Sequence, residues 1–329
     1  MQLRHTTWVT DGGLETDLIF NHGVELPQFA AFPLVDEPAG AAVLADYYAQ
    51  YAAIAAEVGA GLLLETPTWR ANADWGRALG YDARALDRAN RRSVDLVRAA
   101  TTAADVVDRR VSGCVGPRGD GYRSAAYDAD EAAGYHSLQV RSLAAAGVDL
   151  VHAMTMTTPA EAIGVVRAAR SAGVPVAVSF TVETDGRLPD GGTLADAITA
   201  LEVADPADYY GVNCAHPLHL LAALDGGAWQ EHLAFFRPNA SVLSHAELDE
   251  AEELDAGDLP LLVRATDAVR AELPGLAVLG GCCGTDSRHV AALWGAGLGG
   301  GGDAGDAEAP VTPHSSDQST SASSTRSIS

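Results

Sequence analysis

Three cysteines carry the chemistry that this sequence can offer. Cys282 and Cys283 are adjacent, inside Gly280-Gly281-Cys282-Cys283-Gly284, and Cys214 closes the run Gly211-Val212-Asn213-Cys214. Soft thiolates select zinc over magnesium or calcium. Three protein ligands leave one tetrahedral position open, which is the pattern of a catalytic zinc rather than a structural one. No Cys-x-x-Cys knuckle is present, which argues against a structural ribbon. Taken alone, the residues leave two other readings, a strained vicinal pair or three buried thiols. The fourth cysteine, Cys114, reads as a small buried hydrophobe.

A zinc ion with three thiolates carries one net negative charge. A free thiol has a pKa of about 8.5 and is mostly protonated at neutral pH, whereas coordination to zinc deprotonates it. A fourth thiolate on such a centre stays electron-rich. That suits attack on an electrophilic carbon such as an activated methyl group. It suits water activation less, because the thiolates blunt the Lewis acidity of the metal.

Residues so far apart need a scaffold that brings them together. Short β-branched runs alternate with alanine-rich helical stretches along the chain. Strands are expected at Trp8-Val9-Thr10, Gly61-Leu62-Leu63-Leu64, residues 111–116, from Val148 onward, at 174–180, at Tyr209-Tyr210-Gly211-Val212-Asn213, weakly at 235–239, and at 276–281. Helical patterns fall at 41–58, 83–100, 130–146, 159–172, 193–204 and 286–294. Strand then helix, repeated about eight times, implies a parallel sheet and favours a single closed (β/α)8 TIM-type barrel in the α/β class. An open doubly wound sheet is the alternative, weakened by the lack of G-x-G-x-x-G after the first strand. In a barrel both cysteine motifs lie at strand ends on the face that carries active sites. Neighbouring strand residues point to opposite faces, so the chain must break at Cys282. Gly280, Gly281 and Gly284 are expected to supply the backbone freedom for that break.

Composition bounds the rest. The chain has 329 residues and is 47% apolar, enough for one large core. The barrel is expected over residues 1–298. From Gly299 to Ser329 the chain is mostly Gly, Ser, Thr, Asp, Ala and Pro with almost no large apolar residue, so a disordered tail is expected. The net charge is −23, and all 21 basic residues are arginine. So acidic a surface makes nucleic acid and anionic membrane poor partners. No apolar run spans a bilayer and no secretory signal opens the chain, which places the protein in the cytoplasm as an expectation.

Several segments together resemble the homocysteine S-methyltransferase family. They are Asp11-Gly12-Gly13-Leu14, Gly113-Cys114-Val115-Gly116-Pro117, Ala146-Gly147-Val148-Asp149-Leu150, Gly211-Val212-Asn213-Cys214, Arg237-Pro238-Asn239-Ala240 and Gly280-Gly281-Cys282-Cys283-Gly284. The resemblance covers about residues 8–296 in order. It implies a (β/α)8 barrel, a zinc ion held by Cys214, Cys282 and Cys283, and an acceptor thiol in the open zinc position. Methyl donors in the family include S-adenosylmethionine, S-methylmethionine and betaines. The expected partners are therefore a small-molecule thiol and a methyl donor. Two other readings stand beside it: a zinc barrel that binds a thiol without methyl transfer, and a zinc hydrolase or lyase on the same scaffold.

The resemblance also assigns individual residues. Asp11 matches an acidic residue that helps hold the amino group of homocysteine; its other reading is a turn former before Gly12-Gly13. The family usually places a second such carboxylate after the fourth strand, where this chain has Met154 before Thr155. A thioether cannot replace that charged hydrogen bond, worth roughly 1.5–3 kcal/mol. Glu65 is a candidate to compensate, or a structural carboxylate paired with Arg70. The region 21–34 also departs from the aromatic-bearing loop usual in the family. Asn213 and Asn239 end strands and can orient ligands or cap backbone. His216 and His219 offer a fourth metal ligand or a helix start. Trp69 and Tyr122 line the pocket or simply pack.

Overall fold

The structure, a computed structural model, describes Leu3 and residues 6–119, 121–251 and 253–297. The expected tail from Gly299 lies outside these residues. Eight parallel strands close into a barrel in sequence order. They are β1 (Trp8–Val9), β2 (Gly61–Glu65), β3 (Arg109–Val115), β4 (Leu150–Met156), β5 (Val176–Phe180), β6 (Tyr209–Ala215), β7 (Leu233–Pro238) and β8 (Val278–Leu279). The ring shuts where Trp8 pairs with Val278 and Val9 with Leu279.

The helices follow the expected rhythm. α1 (Leu14–Thr16) is a single turn after β1; α2 (Pro38–Val58) follows it. α3 (Ala73–Ala78) and α4 (Ala83–Thr101) lie between β2 and β3, α5 (Ala129–Ala145) before β4, and α6 (Pro159–Ala172) before β5. α7 (Leu194–Ala204), α8 (Pro217–Ala223), α9 (His245–Asp249), α10 (Leu259–Glu272) and α11 (Ser287–Trp294) complete the ring. α4 shows why these segments are helices. Leu86, Ala89, Asn90, Ser93, Val94 and Val97 recur at three- and four-residue spacing and are buried, while the arginines and aspartates between them face out. α10 was not expected from the sequence. Its signals were there: the Asp258 side chain accepts from Leu261 N–H, Pro260 opens the helix, and Leu262, Ala265, Thr266 and Val269 form its buried face.

Inside the barrel the period of two along each strand sorts residues into layers. The lower layer is apolar and holds Trp8, Leu63, Leu150, Tyr209 and Phe235. Leu3 closes it from beneath, accepting from Trp8 Nε1 at 3.0 Å and donating its amide to Tyr209 Oη at 3.1 Å. Burying each such large side chain contributes about 1.5–3 kcal/mol. Two residues further along the strands the interior turns polar. His152 sits above Leu150 and joins Glu65 and Ser179, each at 2.7 Å. Arg237 sits above Phe235 and reaches Asp11. Above this layer the barrel opens. Among the described residues no helix is long and apolar enough to cross a membrane.

Candidate active site

The three cysteines meet at the C-terminal rim of the barrel. Their sulfurs lie within 4.8 Å of one another, and among the described residues they are the one cluster with a metal-binding arrangement. Cys214 Sγ and Cys283 Sγ are 3.4 Å apart. Zinc–sulfur bonds of about 2.3 Å at tetrahedral angles put sulfurs about 3.8 Å apart, so the spacing suits one ion. The protonation pattern suits it as well. Hydrogen bonds from Cys214 and Cys283, then the Arg237 guanidinium and the Asn213 amide, hold the Cys282 thiol well below its ordinary pKa against the cost of burial. The Cys214 thiol is pushed up chiefly by its hydrogen bond to Cys282, and the Cys283 thiol by its hydrogen bonds to Cys214 and then Cys282, with burial adding to both. Three thiolates this close need a cation between them before all can ionise.

Two different backbone devices aim these sulfurs. β6 bulges between Asn213 and Ala215, and Cys214 takes a left-handed φ of +57°. β4 bulges between Ala153 and Met156, with Thr155 at φ +61°. Asn213 locks the two bulges together. Its Oδ1 accepts from Thr155 N–H at 2.7 Å, and its Nδ2 donates to Thr155 Oγ1 at 2.8 Å while lying 3.7 Å from Cys282 Sγ. Beyond Leu279 the chain leaves the sheet, so Cys282 and Cys283 are free of strand alternation. Only Gly284 there has a left-handed φ, at +79°. Gly280 and Gly281 act otherwise than expected, through closeness rather than backbone freedom. A Cβ on Gly281 would lie 2.0 Å from Thr285 Oγ1.

Polar contacts pin this loop on both sides. Cys282 N–H donates to Pro238 O at 2.7 Å, Ala240 N–H to Cys283 O at 3.1 Å, and Gly284 N–H to Thr16 Oγ1 at 3.1 Å. Tyr122 Oη lies 3.2 Å from Cys214 Sγ and 3.6 Å from Cys283 Sγ. The ring stacks on His245 with centroids 4.0 Å apart. The Cys214 carbonyl accepts from Thr181 Oγ1 at 3.0 Å and faces His245 Nε2 at 2.7 Å.

A cavity of about 600 Å³ opens beside the sulfurs, lined among others by Asp11, Glu15, Glu65, Trp69, Tyr122 and Met154. Asp11 is buried and its carboxylate is engaged. It accepts from Arg237 Nη1 at 3.2 Å and Nη2 at 3.0 Å, from Thr10 Oγ1 at 3.1 Å and from Glu65 N–H at 3.1 Å. Burial works against the Arg237 charge, but Asp11 and Glu65 outweigh it and hold the guanidinium protonated. Glu65 turns to His152 and lies 3.9 Å from Arg237, not to Arg70. Burial would raise its carboxyl, but His152, Arg237 and Ser112 hold it below the ordinary range. Its second oxygen is buried without a hydrogen bond. Arg70 packs on Trp75 at 4.0 Å, with Trp69 and Phe29 around it.

The profile of the homocysteine S-methyltransferase family matches residues 8–296. The chain belongs to this family. It is therefore an enzyme, a thiol S-methyltransferase built on the (β/α)8 barrel. Crystal structures of the homocysteine methyltransferase MmuM from Escherichia coli share the fold. The metallated form is 22% identical with a TM-score of 0.70, covering 88% of this chain and 96% of that one. The oxidized form is 22% identical with a TM-score of 0.68, covering 87% and 94%. No curated protein sequence matches the chain significantly.

Other residues of this methyltransferase fall away from the sulfurs. His216 caps α8, its Nδ1 accepting from Leu218 N–H at 3.2 Å, and His219 Nε2 lies 3.1 Å from Val242 O. Both start a helix, and neither joins the metal-binding cluster. Asn239 is buried behind the cysteine loop, outside the cavity lining. Trp69 and Tyr122 do line it. Cys114 is buried with its sulfur 3.5 Å from Met154 Sδ, and burial pushes its thiol well up. Sequence reasoning missed Arg237, His152, His245 and Glu15. The first two were legible in principle, since each lies two residues beyond an inward apolar residue of its strand.

Proposed function

We propose that this enzyme is a zinc-dependent S-methyltransferase that moves a methyl group from a sulfonium or ammonium donor to a small thiol of the homocysteine type. The observation that carries the reading is the convergence of Cys214, Cys282 and Cys283 on one point beside a cavity that three carboxylates line. The metallated form of the fold relative supports a metal here, and the all-sulfur ligand set favours zinc. Bound there, zinc would keep a substrate thiol ionised at neutral pH.

The chain's own residues do the remaining work. Asn213 keeps the β4 and β6 bulges in register and stabilises Cys282 with its amide. Tyr122 and Trp69 wall the cavity and exclude water from the sulfurs. Asp11 and Glu65, tied to Arg237 and His152, form a fixed carboxylate floor beneath the sulfurs. In the transfer, the thiolate lone pair forms the new S–CH3 bond. The electrons of the broken bond return to the donor sulfur or nitrogen, which loses its positive charge.

Protein purified under reducing conditions is expected to hold one zinc per chain, and Cys282→Ala to lose it. A matrix of sulfonium and ammonium donors against small thiols is expected to contain at least one productive pair. Zinc-free wild-type protein, or zinc-loaded protein inert with every pair, would overturn the reading.

A further inference from the structure

Three carboxylates line the cavity, and two of them are already spoken for. Asp11 is bidentate with Arg237, and Glu65 is held by His152 with the same guanidinium 3.9 Å away. Glu15, in the single turn of α1, is the third. Among the described residues it has neither an ion pair nor a hydrogen bond from another side chain. Part of its surface still meets the cavity, yet protein surrounds it. Two further lining residues offer no charge: the sulfurs of Met154 and Cys114 lie 3.5 Å apart.

A desolvated carboxylate with no cation in hydrogen-bonding contact is costly. Burial, assisted by the negative charges of Cys282 and Asp11, outweighs the Glu15 amide and the Arg70 charge and pushes its pKa up to about 7. A cation placed in the cavity would relieve that cost. We propose that Glu15 binds the ammonium group of the thiol acceptor, so that the enzyme selects amino-acid thiols through this side chain. The proposal rests on the thiol-transfer reading above. The acceptor is the better source of the cation than the donor. It must stay seated by the sulfurs throughout, and an ammonium on a short aliphatic chain lies within a side chain's reach of them.

Calorimetry on zinc-loaded protein tests this without turnover. Wild type should bind homocysteine more tightly than 4-mercaptobutanoate, which lacks the amino group. Glu15→Gln should weaken homocysteine binding by roughly tenfold to a hundredfold, leave 4-mercaptobutanoate binding unchanged, and keep one zinc per chain. Glu15→Asp, which keeps the charge, should recover part of the loss. Equal weakening of both thiols, no weakening of either, or a loss confined to the donor's KM would overturn the proposal. Wild-type protein that binds neither thiol would instead remove the parent reading, and would show it before any variant is made.

Discussion

Arg237 holds more of this site together than any cysteine does. Its guanidinium is buried and reaches Asp11, Thr10 Oγ1, and the carbonyls of Gly12 and Gly281. Every donor it offers is spent on the first or the last strand's exit. Arg237→Met would strand the Asp11 charge in the interior. It is expected to lower stability by about 3–5 kcal/mol, read as a fall in the urea midpoint. Asp11→Asn added to it should return part of that loss, because the stranded charge is then gone. At this scale the sequence was legible where residue type dictates chemistry. Three thiols in glycine-rich strand ends pointed to a metal, and their sulfurs do meet. It was illegible where a role depends on a partner distant in the chain. Asp11 and Arg237 are 226 positions apart, and nothing local to Asp11 says that its charge is neutralised. The same holds for Glu65, whose local arginine is a false lead.

Elements explain how those residues are aimed. The repeated strand and helix pattern predicted the barrel because burial on both faces makes parallel strands read as apolar runs. The one weak strand expectation, 235–239, became β7 (Leu233–Pro238), which starts two residues earlier. β8 keeps only Val278–Leu279 of the expected 276–281, since Gly280 and Gly281 already belong to the loop that presents the thiols. The bulges in β4 and β6 were invisible in the sequence. A left-handed φ on threonine or cysteine has no local signature, and tertiary contacts through Asn213 impose it. After the cysteine loop, Asp286 caps α11 by accepting from Arg288 N–H at 2.9 Å and His289 N–H at 3.3 Å. Burial opposes its charge, but His289 and Arg288 outweigh that and hold the carboxyl well below the ordinary range. Asp286→Ala is expected to cost about 1 kcal/mol of stability, measurable in thermal unfolding.

Charge acts at the scale of the whole molecule. The chain carries 44 acidic residues against 21 arginines. Surface pairs such as Arg92 with Asp36 and Arg170 with Asp208 contribute little each. The uncompensated acids repel one another across the whole surface. Raising salt from about 10 mM to 1 M shortens the screening distance from about 30 Å to 3 Å. The melting temperature is expected to rise across that range, because the repulsion being screened exceeds the attraction lost with the pairs.

The ring itself closes through a short ladder. β1 and β8 share two residue pairs, and the bonds that continue the join are Gly281 N–H to Asp11 O at 2.9 Å and Gly13 N–H to Thr285 O at 3.0 Å. Those four residues flank the acidic floor on one side and the cysteine pair on the other. The two ends of the barrel are thus fastened to each other by the site. A ligand that binds the folded cysteine loop and not the unfolded chain is expected to tighten that join as well, and a rise in melting temperature on metal loading would measure how firmly it acts as a latch.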